Sequence, residues 1–350
     1  MERNIELASS LAVATILLCS QLCGCNSQSG SNPSSQSTSD PPSQSATDSS
    51  LPQVATPDAI TAQHEISSIN AFTSESTRGP NFATAQYIDA SSAGLVGDGK
   101  TDNTAALQNL LGSGDRTIHI PAGDYVTGKL FISSNTALLL DSGVIIQDSG
   151  VLGPEDQLIN IRSDNVYISA YGAKILGDRN VYPPGEQRHG VLIYGANNIT
   201  IEGLESSNNA GDGFTIGGPA GQPSQNVVLS ACLASNNRRQ GLTIFNVRNL
   251  YVVNCQFQYT QGTAPQFGID IEPDYPTEIL DQIRILQPLT LANHGGGIAI
   301  SLENLNANSY PIDIEILDHK SESESPPLAT IGSPYVPGTI EYTAAAGAPP

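Results

Sequence analysis

The chain has 350 residues, with 34 acidic against 14 basic side chains, a formal charge of −20 and no tryptophan. So acidic a surface excludes a phosphate-tracking partner such as nucleic acid, and it disfavours a strongly anionic polymer without a metal between them. It suits a soluble, monomeric domain outside the cell and could gather divalent cations.

Residues 7–22 form an apolar run with small residues, too short to span a membrane comfortably and suited to a signal segment. Leu22-Cys23-Gly24-Cys25 resembles the cleavage box of bacterial lipoproteins, which implies a signal peptide over 1–25 and a lipid on Cys25. The alternative is an ordinary secretory signal; either places the protein in the cell envelope or outside it. Residues 26–80 are rich in Ser, Gln, Thr, Pro and Asp and read as a disordered tether. Residues 81–320 remain for one folded domain, and 321–350 for a flexible or partly ordered tail. Thr339-Ile-Glu-Tyr in that tail leaves room for a last partial coil.

Within the domain, Tyr87-Ile-Asp-Ala enters a turn at Val96-Gly-Asp-Gly99. Thr101 or Asp102 can then N-cap a short helix whose apolar stripe is Ala106, Leu107, Leu110 and Leu111. Strands follow over 117–120 and 125–132. Beyond them one phrase returns five times: Gly190-Val-Leu-Ile-Tyr194, Gly213-Phe-Thr-Ile-Gly217, Gly241-Leu-Thr-Ile-Phe245, Gly268-Ile-Asp-Ile-Glu272 and Gly297-Ile-Ala-Ile-Ser301. The glycines are 23, 28, 27 and 29 residues apart. A second phrase keeps step, opening at Asn165, Asn198, Asn226, Asn249 and Gln282. Alternating strands recurring in register at this interval predict an all-β parallel β-helix, its open end covered by the short helix. Cys232 and Cys255 each lie six residues after their asparagine, so they should stack on adjacent coils about 4.8 Å apart. They would form either a disulfide or a ladder of buried thiols. Asn208 and Asn236 share an offset too and predict a corner ladder.

Val96-Gly-Asp-Gly-Lys-Thr-Asp-Asn-Thr-Ala-Ala-Leu-Gln, Ile120-Pro-Ala-Gly-Asp-Tyr and Leu138-Leu-Leu-Asp-Ser-Gly resemble the opening of the pectate lyase superfamily, which includes polygalacturonase-like hydrolases and phage tailspikes. The resemblance covers about residues 85–146 and implies a right-handed β-helix acting on polysaccharide. The later coils are similar to β-helix regions of carbohydrate-active enzymes, including alginate epimerases. No catalytic set of these families transfers whole. The paired Asp-Asp of the polygalacturonase-like enzymes and the Asp-Pro-His of the epimerases are both missing, and Asn293-His-Gly-Gly296 only grazes a Gly-His-Gly motif.

Register locates the chemistry. The second and fourth residues after each glycine should face outward and stack coil upon coil, joined by the residues just before the glycines. Asp270 and Glu272, i and i+2 on one strand, would lie about 6.5–7 Å apart at Cα. That spacing fits the acid and base of an inverting glycosidase, with Asp212 as a third carboxylate. His189 and Asp212 could form a hydrogen-bonded base, and Arg239 or His189 would be the base in a lyase or epimerase. Tyr194 and Phe245 offer rings for sugars, Arg188, Arg238 and Arg239 pair with a uronate, and Gln266 and His294 join the strip. Asp274 could complete a calcium cage. The expectation is a polysaccharide-degrading glycoside hydrolase of polygalacturonase-like type that requires no cofactor, with calcium as an option. A lyase or epimerase, and a non-catalytic carbohydrate-binding or adhesin module, are the alternatives.

Overall fold

A computed structural model describes residues 85–332 and 335–346. The signal peptide, the lipid on Cys25 and the tether expected from the sequence lie outside the described residues. The expected architecture is present: a right-handed parallel β-helix of about nine turns with very little helix. Each turn carries three strands. The first sheet runs from Gln86–Asp89 to Gly338–Ala344, the second from Asp98–Asp102 to Leu289–Leu291, and the third from Leu130–Ile132 to Leu328–Gly332. The strand Ile312–Glu322 is long enough to serve the first sheet and then the second. The strands of the second sheet are short, for example Glu205–Ser207 and Leu233–Ser235, too short for alternation to show in the sequence. The coil continues past residue 320, with Leu328–Gly332 pairing with Gly296–Leu302.

The interior is apolar because the first and third residues after each repeated glycine point inward. Val191, Ile193, Phe214, Ile216, Leu242, Ile244, Ile269, Ile271, Ile298 and Ile300 are all buried in one continuous core. At the N-terminal end the helix α1, Thr104–Leu111, buries Leu107, Leu110 and Leu111. Asn103 occupies its N-cap without a side-chain bond, while Asp102 accepts the Thr104 N–H at 2.9 Å. Gln108 then satisfies the edge of the first third-sheet strand, donating to the Phe131 carbonyl and accepting its N–H.

Corners are built from residues with positive φ. Asn135, Asn165, Asn198, Asn226 and Asn249 all take left-handed backbone; the last four each donate from the side-chain amide to the preceding asparagine at 2.7–3.0 Å, and Asn135 donates to Asp115. Asparagine tolerates this backbone and supplies both donor and acceptor, so one residue type turns the chain and ties neighbouring coils. Asn208 and Asn236 repeat the device at another corner. Replacing Asn226 with Ala should therefore destabilise by about 1–2 kcal/mol, losing two ladder bonds and gaining backbone strain. Asn226→Gly should cost less, because only the bonds go. Urea unfolding of both variants measures the difference. Cys232 and Cys255 are free and buried, with the Cys232 N–H pointing at the Cys255 sulfur at 3.4 Å. They form the thiol ladder rather than a disulfide.

Near the C-terminal end, a buried His319 bonds Thr290 through Nε2 at 2.8 Å, and its Nδ1 meets the Tyr342 hydroxyl at 3.2 Å. Burial pulls its pKa from the usual 6.5 to about 4. The unfolded chain therefore binds a proton that the folded one refuses between these two values. This contribution to stability is complete above pH 6.5 and falls by about 3 kcal/mol as the pH drops to 4. Stability measured across that window should flatten in His319→Gln.

Candidate functional site

The outward face of the third sheet forms the floor of a cavity of about 390 Å³. One row along the floor is Leu192, Thr215 and Thr243; a second is Tyr194, Gly217, Phe245 and Glu272. The walls come from loops 149–158 (Glu155, Gln157), 177–190 (Glu186, Gln187, His189) and 272–279 (Asp274). Outward register alone does not mean exposure: these loops shield the floor, and Thr215 and Thr243 are buried.

Gly217 explains the ring geometry. A Cβ there would lie 2.0 Å from the Phe245 ring, so only glycine lets Phe245 fold across its coil. Phe245 thereby reaches Tyr194 two coils away, with centroids 6.2 Å apart, and Arg162 covers Tyr194 at 4.8 Å. The result is an aromatic shelf beside polar walls, the composition expected where a sugar ring stacks.

Around Arg239 the charges interlock. Its NH2 meets Glu272 Oε2 at 2.9 Å and its NH1 lies 3.6 Å from Asp212 Oδ2. Asp212 is fully buried and accepts from Thr215, Thr243 and the Gln240 N–H. Burial opposes the charge on Arg239, but Asp212 and Glu272 outweigh it and hold its pKa above the ordinary arginine range. A group so held cannot accept a proton, so the expectation of Arg239 as a lyase base is overturned. Contact with a single guanidinium also places the Asp212 and Glu272 oxygens at most about 9 Å apart, within the span of two-carboxylate glycosidases.

Asp270 departs from the expectation of an open carboxylate. It points outward between Thr243 and Ala299, yet it is fully buried and does not line the cavity. Gln240 donates to its Oδ2 at 2.6 Å, while Oδ1 has no donor in reach. Burial first, then the Glu272 charge beside it, pushes its pKa well above the carboxylate range. Asp270 therefore favours its protonated form beneath Glu272. The place of Gln240 before a glycine puts it on the expected strip, but its bond to Asp270 was not legible in the sequence.

His189 and Asp212 do meet, at 3.3 Å between Nδ1 and Oδ2. However, His189 Nδ1 accepts the Asp212 backbone N–H at 3.0 Å, which assigns the proton to Nε2. Burial lowers its pKa despite Asp212, so it is neutral at neutral pH and serves as a donor rather than a base. The expected His–Asp base pair is corrected accordingly.

Four further candidates stand outside the cavity. Arg238 is buried and spends its guanidinium on the carbonyls of Pro183, Arg179 and Tyr182, which pins loop 177–190. Arg188 bonds the Leu152 carbonyl and covers the Tyr182 ring. Gln266 turns its loop, accepting the Gly262 N–H. His294 is exposed away from the cleft. Asp274 stands at the rim, its N–H held by Glu278. Among the described residues no group of three His, Cys, Asp or Glu converges as metal ligands.

Comparison with known proteins agrees with the fold. The family model described as "Right handed beta helix region" matches residues 158–309. Protein YclG of Bacillus subtilis strain 168, uncharacterized, is 26% identical over 269 residues, covering 66% of this chain and 45% of the relative. Mannuronan C5-epimerase AlgE3 of Azotobacter vinelandii is 26% identical over 217 residues, covering 49% of this chain and 12% of that protein. Among solved structures, tailspike protein gp49 of Acinetobacter baumannii bacteriophage Fri1, a capsular polysaccharide depolymerase, matches with a TM-score of 0.56 and 17% identity. That match covers 71% of this chain and 48% of the tailspike. The chain spans less than half the length of the curated relatives it matches.

Proposed function

We propose that this right-handed β-helix is an extracytoplasmic polysaccharide hydrolase with its active site in the third-sheet cavity. The observation that carries the reading is Glu272: a cavity-lining carboxyl beside the buried Asp270, whose pKa burial pushes up, and bridged through Arg239 to the carboxylate of Asp212. Glu272 gives its proton to the glycosidic oxygen as that bond breaks, and Asp212 takes a proton from the water that adds to the sugar carbon. Asp212 keeps one oxygen with a single donor, the Gln240 N–H, which leaves that oxygen able to accept. Arg239 holds the two carboxylates in place and His189 donates from Nε2. Tyr194 and Phe245 stack the sugar, as the likeness to polysaccharide-active β-helices also suggests.

The hydrolytic route requires no cofactor. The test is turnover of a panel of polysaccharides, with reducing ends and absorbance at about 235 nm followed together, with and without EDTA. New reducing ends without absorbance, unaffected by EDTA, support the hydrolase. Absorbance that needs calcium would instead establish a lyase with a cation at the Asp274 rim. Retention on a glycan gel without turnover would make the cleft a binding site.

A further inference from the structure

We infer that the glycan held between Tyr194 and Glu272 carries no acidic groups, its sugars being neutral or amino-substituted. This rests on the polysaccharide reading of the cavity and narrows its substrate class.

The arginines that would be needed for an anionic sugar are already spent inside the protein. Arg239 gives NH1 and NH2 to Asp212, Thr243 and Glu272, and its Nε is buried with no partner. Arg238 is buried on three backbone carbonyls, and Arg188 lies on Tyr182. His189 is held neutral. The side chains that do face the cavity include five carboxylates: Glu155, Glu186, Asp212, Glu272 and Asp274. Against them stand Arg239, already paired, and Arg162, which lies at the N-terminal end over the Tyr194 ring. A carboxylate or sulfate entering this space meets a field of its own sign in a partly enclosed, low-dielectric cleft, where such repulsion is strongest. A hydroxyl meets only acceptors and donors, and an ammonium meets attraction. The shelf of Tyr194 and Phe245 binds any sugar face without regard to charge, so the walls decide.

The experiment compares matched oligosaccharides that differ only in charge. Oligogalacturonate is set against its methyl ester, and glucosamine oligomers against their N-acetylated forms, with binding and turnover measured on the full chain at low and high salt. The methyl ester should bind at least tenfold better than the free acid at low salt. The gap should narrow as salt screens the walls beyond about 10 Å. The double variant Glu155→Gln, Glu186→Gln removes two wall charges and should narrow the gap several-fold. A higher affinity of glucosamine oligomers than of their N-acetylated partners points to an amino sugar, and parity to a neutral one. Preference for the free acid, lost in Arg162→Gln, overturns the inference and leaves the polysaccharide reading intact. Silence on both members of every pair overturns that reading, and this inference with it.

Discussion

Glu272→Gln should lower kcat by about 10²–10⁴-fold while changing KM little. The substitution keeps the shape and the contact with Arg239 but removes the carboxyl of Glu272 that faces the cavity. Asp270→Asn makes the informative contrast. Because Asp270 is buried and does not line the cavity, it does not touch the substrate; it acts through its neighbours. An amide in its place keeps the shape and the bond from Gln240. Asp270→Asn should therefore lower kcat less than Glu272→Gln does. A variant of Asp270 that abolishes turnover at every pH, with the fold retained, would return the acid role to Asp270 itself.

Asp212→Ala should cost about 3–5 kcal/mol of stability, the largest single-site effect expected in this cleft. Asp212 is the acceptor that satisfies Thr215, Thr243 and the Gln240 N–H, and it balances the half of Arg239 that Glu272 does not. Removing it leaves a largely enclosed guanidinium and three donors unsatisfied at once. Asp212→Asn retains acceptor oxygen and should cost clearly less. Denaturant midpoints of the two variants separate these terms. Equal losses would mean that the charge, rather than the hydrogen bonds, sets the stability.

The fold was legible because a β-helix repeats. Glycine phrases in register fixed which residues enter the core, from Val191 to Ile300, and Asn208 and Asn236 marked one corner in advance. The site was only half legible, for a physical reason. Register says which way a side chain points, not what lies above it. Tyr194, Phe245, Glu272, Asp212, His189 and Arg239 do meet in one cavity, because stacking brings equal offsets together. Asp270 shares their direction but is roofed over, and Arg238 sits one residue from Arg239 yet faces a different set of partners. Glu155, Gln157 and Glu186 come from loops whose paths no repeat constrains. The tautomer of His189 depends on a backbone N–H that no side-chain pattern reveals.

The separation between a repeating floor and irregular walls has a consequence for how such a chain can change. The floor is tied coil to coil by ladder bonds and by core packing, so a substitution there is felt by the turns on either side. The loops over 177–190 and 272–279 leave and rejoin the coil at neighbouring turns, so their length and sequence can vary without altering a single rung. Innovation is thereby confined to the edges. A descendant of this molecule could acquire a new specificity by exchanging one loop, inheriting the carboxyls of the floor unaltered beneath it.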